Sequence, residues 1–508
     1  MRLSPLNIFI KMLPIFIGSI LIFGKVHASN SIEFTPAARK VYAEIISLRL
    51  NNVSAALASF EKAEKDNAVN GYLRHNANFM RFFIEEREAD FTTVVDNFDK
   101  NYERIEKTDA KSPLRLYLMA QMQLELAVCQ AKMGELMSAG YHVQKAYGQL
   151  EDNKHKFPSF APNLIGLGLM HCLIGTVPAK YRWAVNLMGY EGNLEQGMRE
   201  LYQAKAYVKR NNFYCAEELD FIYVYGLLYM SNEKKKAWTE AKALQQQHPD
   251  NLLYTYLATV VAYANNYNEE GLTVLNARPK GAAYTPFVYL DYLTGMGKLR
   301  RLDTDAEVYF ERFLNDKSRR NFLKDACQKI AWCRVLKGDN EGFKKNMTRV
   351  KTIGHTEVDA DRQALREAEA KDIPNIILLR ARLLCDGGYY QKAINELAGH
   401  KSSEFKQKKE QAEFVYRAGR IYQEWGQPDK AIPYFENAML LGAGLPQWFE
   451  ASAALNLGLI YEDKNDFVKA KKYLQACIDS KNVDFKNGLE QKAKSALERI
   501  KKKEAPKK

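Results

Sequence analysis

The sequence predicts an all-α fold, an α-α superhelical solenoid of paired helices, and three observations lead there. First, a small residue, a bulky apolar residue and an alanine recur at i, i+4 and i+7, one face of a helix. The copies are Gly197/Leu201/Ala204, Ala56/Phe60/Ala63, Ala139/Val143/Ala146 and Ala431/Phe435/Ala438. Second, from residue 237 onward the leading position falls at 237, 271, 306, 343, 393, 431 and 470, steps of 34, 35, 37, 50, 38 and 39. A period of that length built from two helices is the signature of stacked helical hairpins. Third, the chain of 508 residues is 46% hydrophobic and 27% charged with only 15 Pro, so it is globular and poor in strand-and-turn punctuation.

The elements follow in order. Residues 1–28 read as a signal peptide. Arg2 and Lys11 precede the apolar run MLPIFIGSILIFG, and Val26-His27-Ala28 sets cleavage after Ala28. The run is about 13 residues, short of the roughly 20 a spanning helix needs, although an uncleaved anchor is the other reading. No cysteine follows closely, which argues against a lipoprotein. Export into the periplasm of a bacterial envelope is the expectation, with membrane association left open.

Residues 29–160 hold irregular helical hairpins. Residues 161–355 form a more regular solenoid, opened by the apolar helix 164–177, which ends at Pro178. That helix reads as buried, with a membrane-dipping segment as the alternative. Gly192-Asn193 is a turn whose residues tolerate the left-handed conformation. Gly197 then stands inside a helix, where glycine costs about 1 kcal/mol relative to alanine. The cost is offset if Gly197 marks a helix crossing, where a Cβ would hold two helices apart. Residues 356–373 break the period and supply a polar linker helix. Residues 374–508 complete the chain with repeats, a capping helix whose outer face is polar, and a basic tail.

The first helix of each late unit repeats the logic. Twelve residues before Ala431 stands Gly419, and twelve before Ala470 stands Gly458. The predicted crossing residues are therefore Gly197, Gly419, Ala431, Gly458 and Ala470. With these spacings on the page, AGRIYQEWGQPDKAIPYFENAM and NLGLIYEDKNDFVKAKKYLQAC resemble tetratricopeptide repeats. The segment GLGLMHCLIGTVPAKYRWAVNLMGYEGNLEQGMREL, residues 166–201, is similar to the hallmark segment of the inclusion-body-clearance family of such proteins. In that family an apolar helix, a proline and a G-aromatic-x-G-D turn precede a glycine-containing helix. Here the turn reads Gly189-Tyr190-Glu191-Gly192-Asn193, and the export leader departs from the family's pattern.

Charge and chemistry narrow the function classes. The formal charge is +13, but the leader carries Arg2, Lys11 and Lys25, and the tail KKKEAPKK holds five lysines. The remaining balance is too mild for a nucleic-acid binder. The tail reads as a solvated end, with a weak surface contact as the second reading. Seven cysteines without a C-x-x-C read as buried thiols, one structural disulfide being the alternative. There is no H-E-x-x-H, G-x-S-x-G or Walker sequence, and Gly295-Met296-Gly297-Lys298 lacks the P-loop spacing. His171-Cys172 reads as a satisfied core pair rather than metal ligands. Asp359 and Asp361 read as acids favouring a helix N-terminus. No cofactor, metal or catalytic residue is expected.

The leading expectation is a non-enzymatic scaffold that binds a protein or peptide, acidic in character, on the concave face built from the first helix of each hairpin. The residues assigned to that face are Arg382, Tyr416, Arg417, Arg420 and Asn456, whose guanidiniums suit bidentate grip of a carboxylate. A solvated face with salt bridges to Glu413 and Glu424 is the competing reading. A lipid- or apolar-ligand-handling protein using residues 164–190 is the alternative function, and an enzyme stands third.

Overall fold

The computed structural model describes residues 31–177, 190–481 and 486–504. The leader with its cleavage site at Ala28, residues 178–189 and the last four residues of the basic tail lie outside the described residues.

Among the described residues the chain is helix and turn, with no strand. The first three hairpins are α1 (Pro36–Ile46) with α2 (Leu50–Ala63), α3 (Val69–Glu85) with α4 (Glu88–Glu106), and α5 (Pro113–Lys132) with α6 (Leu136–Lys156). Next come α7 (Asn163–Gly175) with α8 (Leu194–Asn211), α9 (Ala216–Tyr229) with α10 (Lys234–Gln247), and α11 (Leu252–Ala264) with α12 (Asn268–Asn276). Then α13 (Tyr289–Arg300) pairs with α14 (Ala306–Leu314), and α15 (Leu323–Leu336) with α16 (Asn340–Thr352). A single helix, α17 (Asp359–Ala370), precedes α18 (Ile376–Asp386) with α19 (Tyr390–Leu397), α20 (Lys408–Glu424) with α21 (Pro428–Gly442), α22 (Phe449–Asp463) with α23 (Phe467–Asp479), and the last helix, α24 (Lys486–Glu504).

Each hairpin closes where its small residues let two backbones meet. A Cβ on Gly197 of α8 would lie 2.4 Å from the Gly168 carbonyl oxygen and 2.6 Å from the Cys172 nitrogen, both on α7. A Cβ on Gly419 would meet the Phe435 ring at 2.9 Å, and one on Gly458 would meet Leu474 Cγ at 2.6 Å. Ala431 and Ala470 are fully buried on the partner helices. The turn before α8 differs from expectation. Asn193 is extended, at φ −148°, and its side chain caps α8 by accepting the Gln196 N–H. Gly192 lies against His171, where a Cβ would come within 2.7 Å of the ring. Close approach to His171 and a φ of +157° both select glycine at 192, while Asn193 serves as the helix cap rather than as a left-handed residue.

Most of α7 is buried, and His171 is held by Glu200 (Nδ1 to Oε2, 2.5 Å) with Gln196 at 3.2 Å. No described helix is long and apolar enough to cross a membrane. All seven cysteines are buried as thiols.

Two features set which concave surface is open. The N-terminal hairpins pack across the middle of the solenoid. The Phe83 ring of α3 lies 6.4 Å from Phe221 of α9 and 6.0 Å from Tyr256 of α11. The buried Arg319 donates to the Ile84 carbonyl oxygen at 2.7 Å, and Asn321 donates to Glu86 at 2.8 Å. The first helices of the middle hairpins, the A helices, are therefore covered by the chain itself. Meanwhile α17 docks on α15 instead of standing free. Its buried Asp361 accepts the N–H groups of Phe322 (2.6 Å) and Asp325 (2.9 Å), satisfying orphan donors at the start of α15. The Asp359-x-Asp361 pair thus serves two helices: Asp359 stands in the first turn of α17, and Asp361 caps α15.

The C-terminal hairpins gather a second apolar cluster, from Leu378 to Ile500. They dock back on the solenoid: α18 touches α13 and α15. The Tyr389 hydroxyl donates to Glu269 at 2.6 Å and accepts from Asn268 at 2.9 Å. At the joint between the two parts α18 packs against α13, α15 and α20.

Candidate functional site

The candidate site, called the groove below, lies where α18 packs against α13, α15 and α20. Three of its residues each follow a small, buried helix residue. Trp332 follows Ala331 on α15, Arg382 follows Ala381 on α18, and Arg420 follows Gly419 on α20. Trp332 is itself buried, 3% exposed, and two cations lie over its ring. The Lys329 ammonium lies 4.1 Å from the ring centroid and the Arg382 guanidinium 4.7 Å. The Trp332 indole N–H donates to Glu367 of α17 at 2.7 Å, which fixes the ring plane. Such cation–π contacts are worth about 0.5–2 kcal/mol, more when desolvated.

Asp386, the last residue of α18, is the electrostatic centre. Arg420 Nη2 pairs with its Oδ1 at 2.8 Å, while Arg382 Nε stands 3.9 Å from its Oδ2. Burial would raise this carboxyl, but Arg420, Arg382, Arg300 and Arg417 together hold it at about 2. Arg420 is the direct partner and Arg382 the longer one, while Arg300 and Arg417 act on the carboxylate only through their charge. Asp386 and then burial act in opposite senses on Arg420, and Asp386 wins, so the Arg420 guanidinium is raised above its ordinary value. At Arg382 burial and the neighbouring Arg417 charge win, and its affinity for a proton falls. Solvent still reaches 22% of the Arg382 side chain and 29% of Arg420, as expected for groups on a concave wall.

Two of these cations are under-satisfied. Arg382 has the long contact to Asp386 and the Trp332 ring, with no hydrogen bond among the described residues. Arg300 lies over Tyr263 at 4.9 Å, and its Nη1 is buried without a hydrogen-bond partner. A buried donor left unmade costs about 1–3 kcal/mol, more when charged. Arg382, 22% exposed, is therefore the guanidinium open to an incoming oxyanion, whereas the Arg300 Nη1 is enclosed.

The expected strip is corrected at two residues. Tyr416 and Arg417, expected on the solvent side, are both buried. They stand three and two residues before Gly419 and turn under the next hairpin. The Tyr416 ring packs 4.9 Å from Trp448 and 5.7 Å from Phe449, with its hydroxyl 3.0 Å from Ser452 Oγ. Arg417, its side chain 4% exposed, bonds Glu413 through Nη2 (2.6 Å) and Nε (3.0 Å). Stacking of α22 on α20 buries them. Asn456 is partly exposed on α22. Arg420 pairs with Asp386 rather than Glu424, which instead accepts from Asn266 at 3.1 Å.

Sequence reasoning missed Trp332, Asp386 and Arg300. Trp332 was legible by the same one-after-crossing rule. The i, i+4 spacing of Arg382 and Asp386 placed both on one face. Nothing local marks Arg300, which ends α13 and reaches the groove because α18 docks beside it.

No groups of three or more His, Cys, Asp or Glu among the described residues are arranged to hold a metal.

Residues 412–441 and 451–484 match the tetratricopeptide repeat family. These segments cover α20 with most of α21, and α22 with α23. No curated protein matches the chain. Among solved structures, the APC/C hetero-tetramer Cut9-Hcn1 aligns at 13% identity over 91% of this chain and 95% of that chain, with a TM-score of 0.23. Yeast Tom70 aligns at 12% identity over 86% of this chain and 97% of that chain, also at 0.23.

Proposed function

We propose that the mature chain is an exported, non-catalytic scaffold of the bacterial cell envelope whose arginine-lined groove grips an acidic segment of a protein partner. Tetratricopeptide repeats support a protein-interaction scaffold in general terms. One observation carries the finer reading. The Arg382 guanidinium lies over the Trp332 ring, 4.7 Å from its centroid, with its nearest carboxylate contact at 3.9 Å. A stacked guanidinium keeps its N–H edge free, and a carboxylate meeting that edge would form charge-assisted, bidentate bonds. Little order has to be gained on binding, because the ring and the guanidinium are already fixed.

Export rests on the leader residues Arg2, Lys11 and Val26 to Ala28. Likeness to the inclusion-body-clearance family rests on the 166–201 segment and adds no ligand to this reading.

The test is fluorescence anisotropy of a labelled glutamate- and aspartate-rich peptide with the purified mature chain. Binding that weakens with added salt and falls about tenfold or more in Arg382→Ala is expected. Equal affinity for a neutral peptide of the same length would defeat the reading.

A further inference from the structure

We infer that the N-terminal end of the chain carries a second binding site, for an organic phosphate, in the cleft between α2, α3 and α4. This site is separate from the C-terminal groove and does not depend on it.

The cleft follows from packing. A Cβ on Gly71 of α3 would lie 2.6 Å from the Asn101 carbonyl oxygen of α4, so glycine draws these two helices close. Helix α2 packs on α3 as well. Between α2 and α4 a cavity of about 560 Å³ remains, within the 300–1,000 Å³ range typical of small-ligand sites.

The lining has two kinds of surface. Leu50, Val53 and Leu57 of α2 with Ala77 of α3 give an apolar patch. Opposite stand four cations, Arg74, Arg81, Lys100 and Arg104, against one carboxylate, Glu61. Arg74 and Arg104 both pair with Glu61, Arg104 at 3.4 Å. Burial would raise the Glu61 carboxyl, but bonds from Arg74 and Arg104 hold it below its ordinary value. Glu61 is thus committed, and it leaves Arg81 and Lys100 unneutralised. Neither forms an ion pair or hydrogen bond among the described residues, although Asp90 feels the Arg81 charge.

A second observation points into the same space. Asn101 is 4% exposed and lines the cavity, yet its amide makes no side-chain hydrogen bond among the described residues. Its amide atoms are not fully enclosed, so they open into the cavity. Two free cations match a dianion, and a phosphate ester offers three oxygens to Arg81, Lys100 and the Asn101 amide. The apolar patch suits an organic body on that phosphate. A monocarboxylate would leave one cation unmatched.

Calorimetry on the mature chain with phenyl phosphate, inorganic phosphate and benzoate tests this. Phenyl phosphate should bind several-fold more tightly than either of the others. Arg81→Ala and Lys100→Ala should each weaken it about tenfold, with melting temperatures within a degree or two of wild type because both side chains are unpaired. Glu61→Gln should tighten it, since Arg74 and Arg104 are released to the ligand. Arg382→Ala should leave it unchanged, so failure here and failure of the acidic-peptide groove are distinguishable. The inference is overturned if phenyl phosphate gives no binding at millimolar concentration. Affinity insensitive to Arg81 and Lys100, inorganic phosphate bound as tightly as the ester, or binding only to anionic phospholipid vesicles would each overturn it too.

Discussion

The Arg382 guanidinium lies 4.7 Å over the Trp332 ring while its nearest carboxylate contact, Asp386, stands at 3.9 Å. The stack orients a charge that the fold leaves half-neutralised. Arg382→Lys should therefore keep the charge but lose the plane and the fork. Acidic-peptide binding should weaken several-fold in this variant and further in Arg382→Ala, with Trp332→Phe intermediate. Equal affinity in Arg382→Lys and wild type, measured by anisotropy, would show that charge alone is read.

Arg417→Ala/Arg420→Ala tests the corrected placement. On a solvated face the pair would be silent for stability. In the structure Arg417 is buried against Glu413, and Arg420 holds Asp386. Removing one member of a buried pair leaves the other charge uncompensated. A loss of about 2–4 kcal/mol is expected in denaturant melts. An unchanged midpoint would return both residues to the surface.

Gly197→Ala should destabilise by about 1–3 kcal/mol even though alanine is the better helix former by about 1 kcal/mol. The added Cβ meets backbone atoms of Gly168 and Cys172 at 2.4 and 2.6 Å, which cannot rotate away. Gly197→Leu should be worse. Thermal unfolding at or above the wild-type temperature in either variant would contradict a crossing at this position.

Asp361 supplies a pH signature. Burial and the nearby Asp325 raise its carboxyl from 3.8 to about 7, against the bonds from the Asp325 and Phe322 N–H groups, which favour ionisation. In the unfolded chain it ionises near 4. The folded state therefore holds the proton longer, and this group's contribution to stability declines as pH rises from about 4 to about 7. Asp361→Asn should flatten that part of the stability profile while weakening the cap on α15. A wild-type profile with the same slope as the variant's would remove Asp361 as the cause.

Ala28→Arg should block processing of the leader, because a peptidase pocket at −1 accepts small residues. Mass spectrometry of the exported protein reads the outcome directly. Normal processing of the variant, to the same N-terminus as the wild type, would show that Ala28 does not occupy the −1 position of the cleavage site.

The sequence by itself determined the hairpin period and the crossing residues. Both are local: a helix repeats every 3.6 residues, so a small residue at a fixed offset must meet the partner helix of its own hairpin. It also put Arg382 and Arg420 on the face turned away from the partner helix, where both keep partial exposure, since one position past a crossing faces away from that partner. Tertiary structure decided the rest, because the remaining contacts join residues far apart in the chain. Whether Tyr416 and Arg417 face water depends on how α22 stacks on α20, and Trp448 and Phe449 cover them. Whether the middle A helices are open depends on α3 crossing to α9 and α11. Arg300 and Asp386 are brought into one electrostatic site because α18 docks on α13. Periodicity fixes which face a side chain takes, and docking between non-neighbouring helices fixes what that face meets.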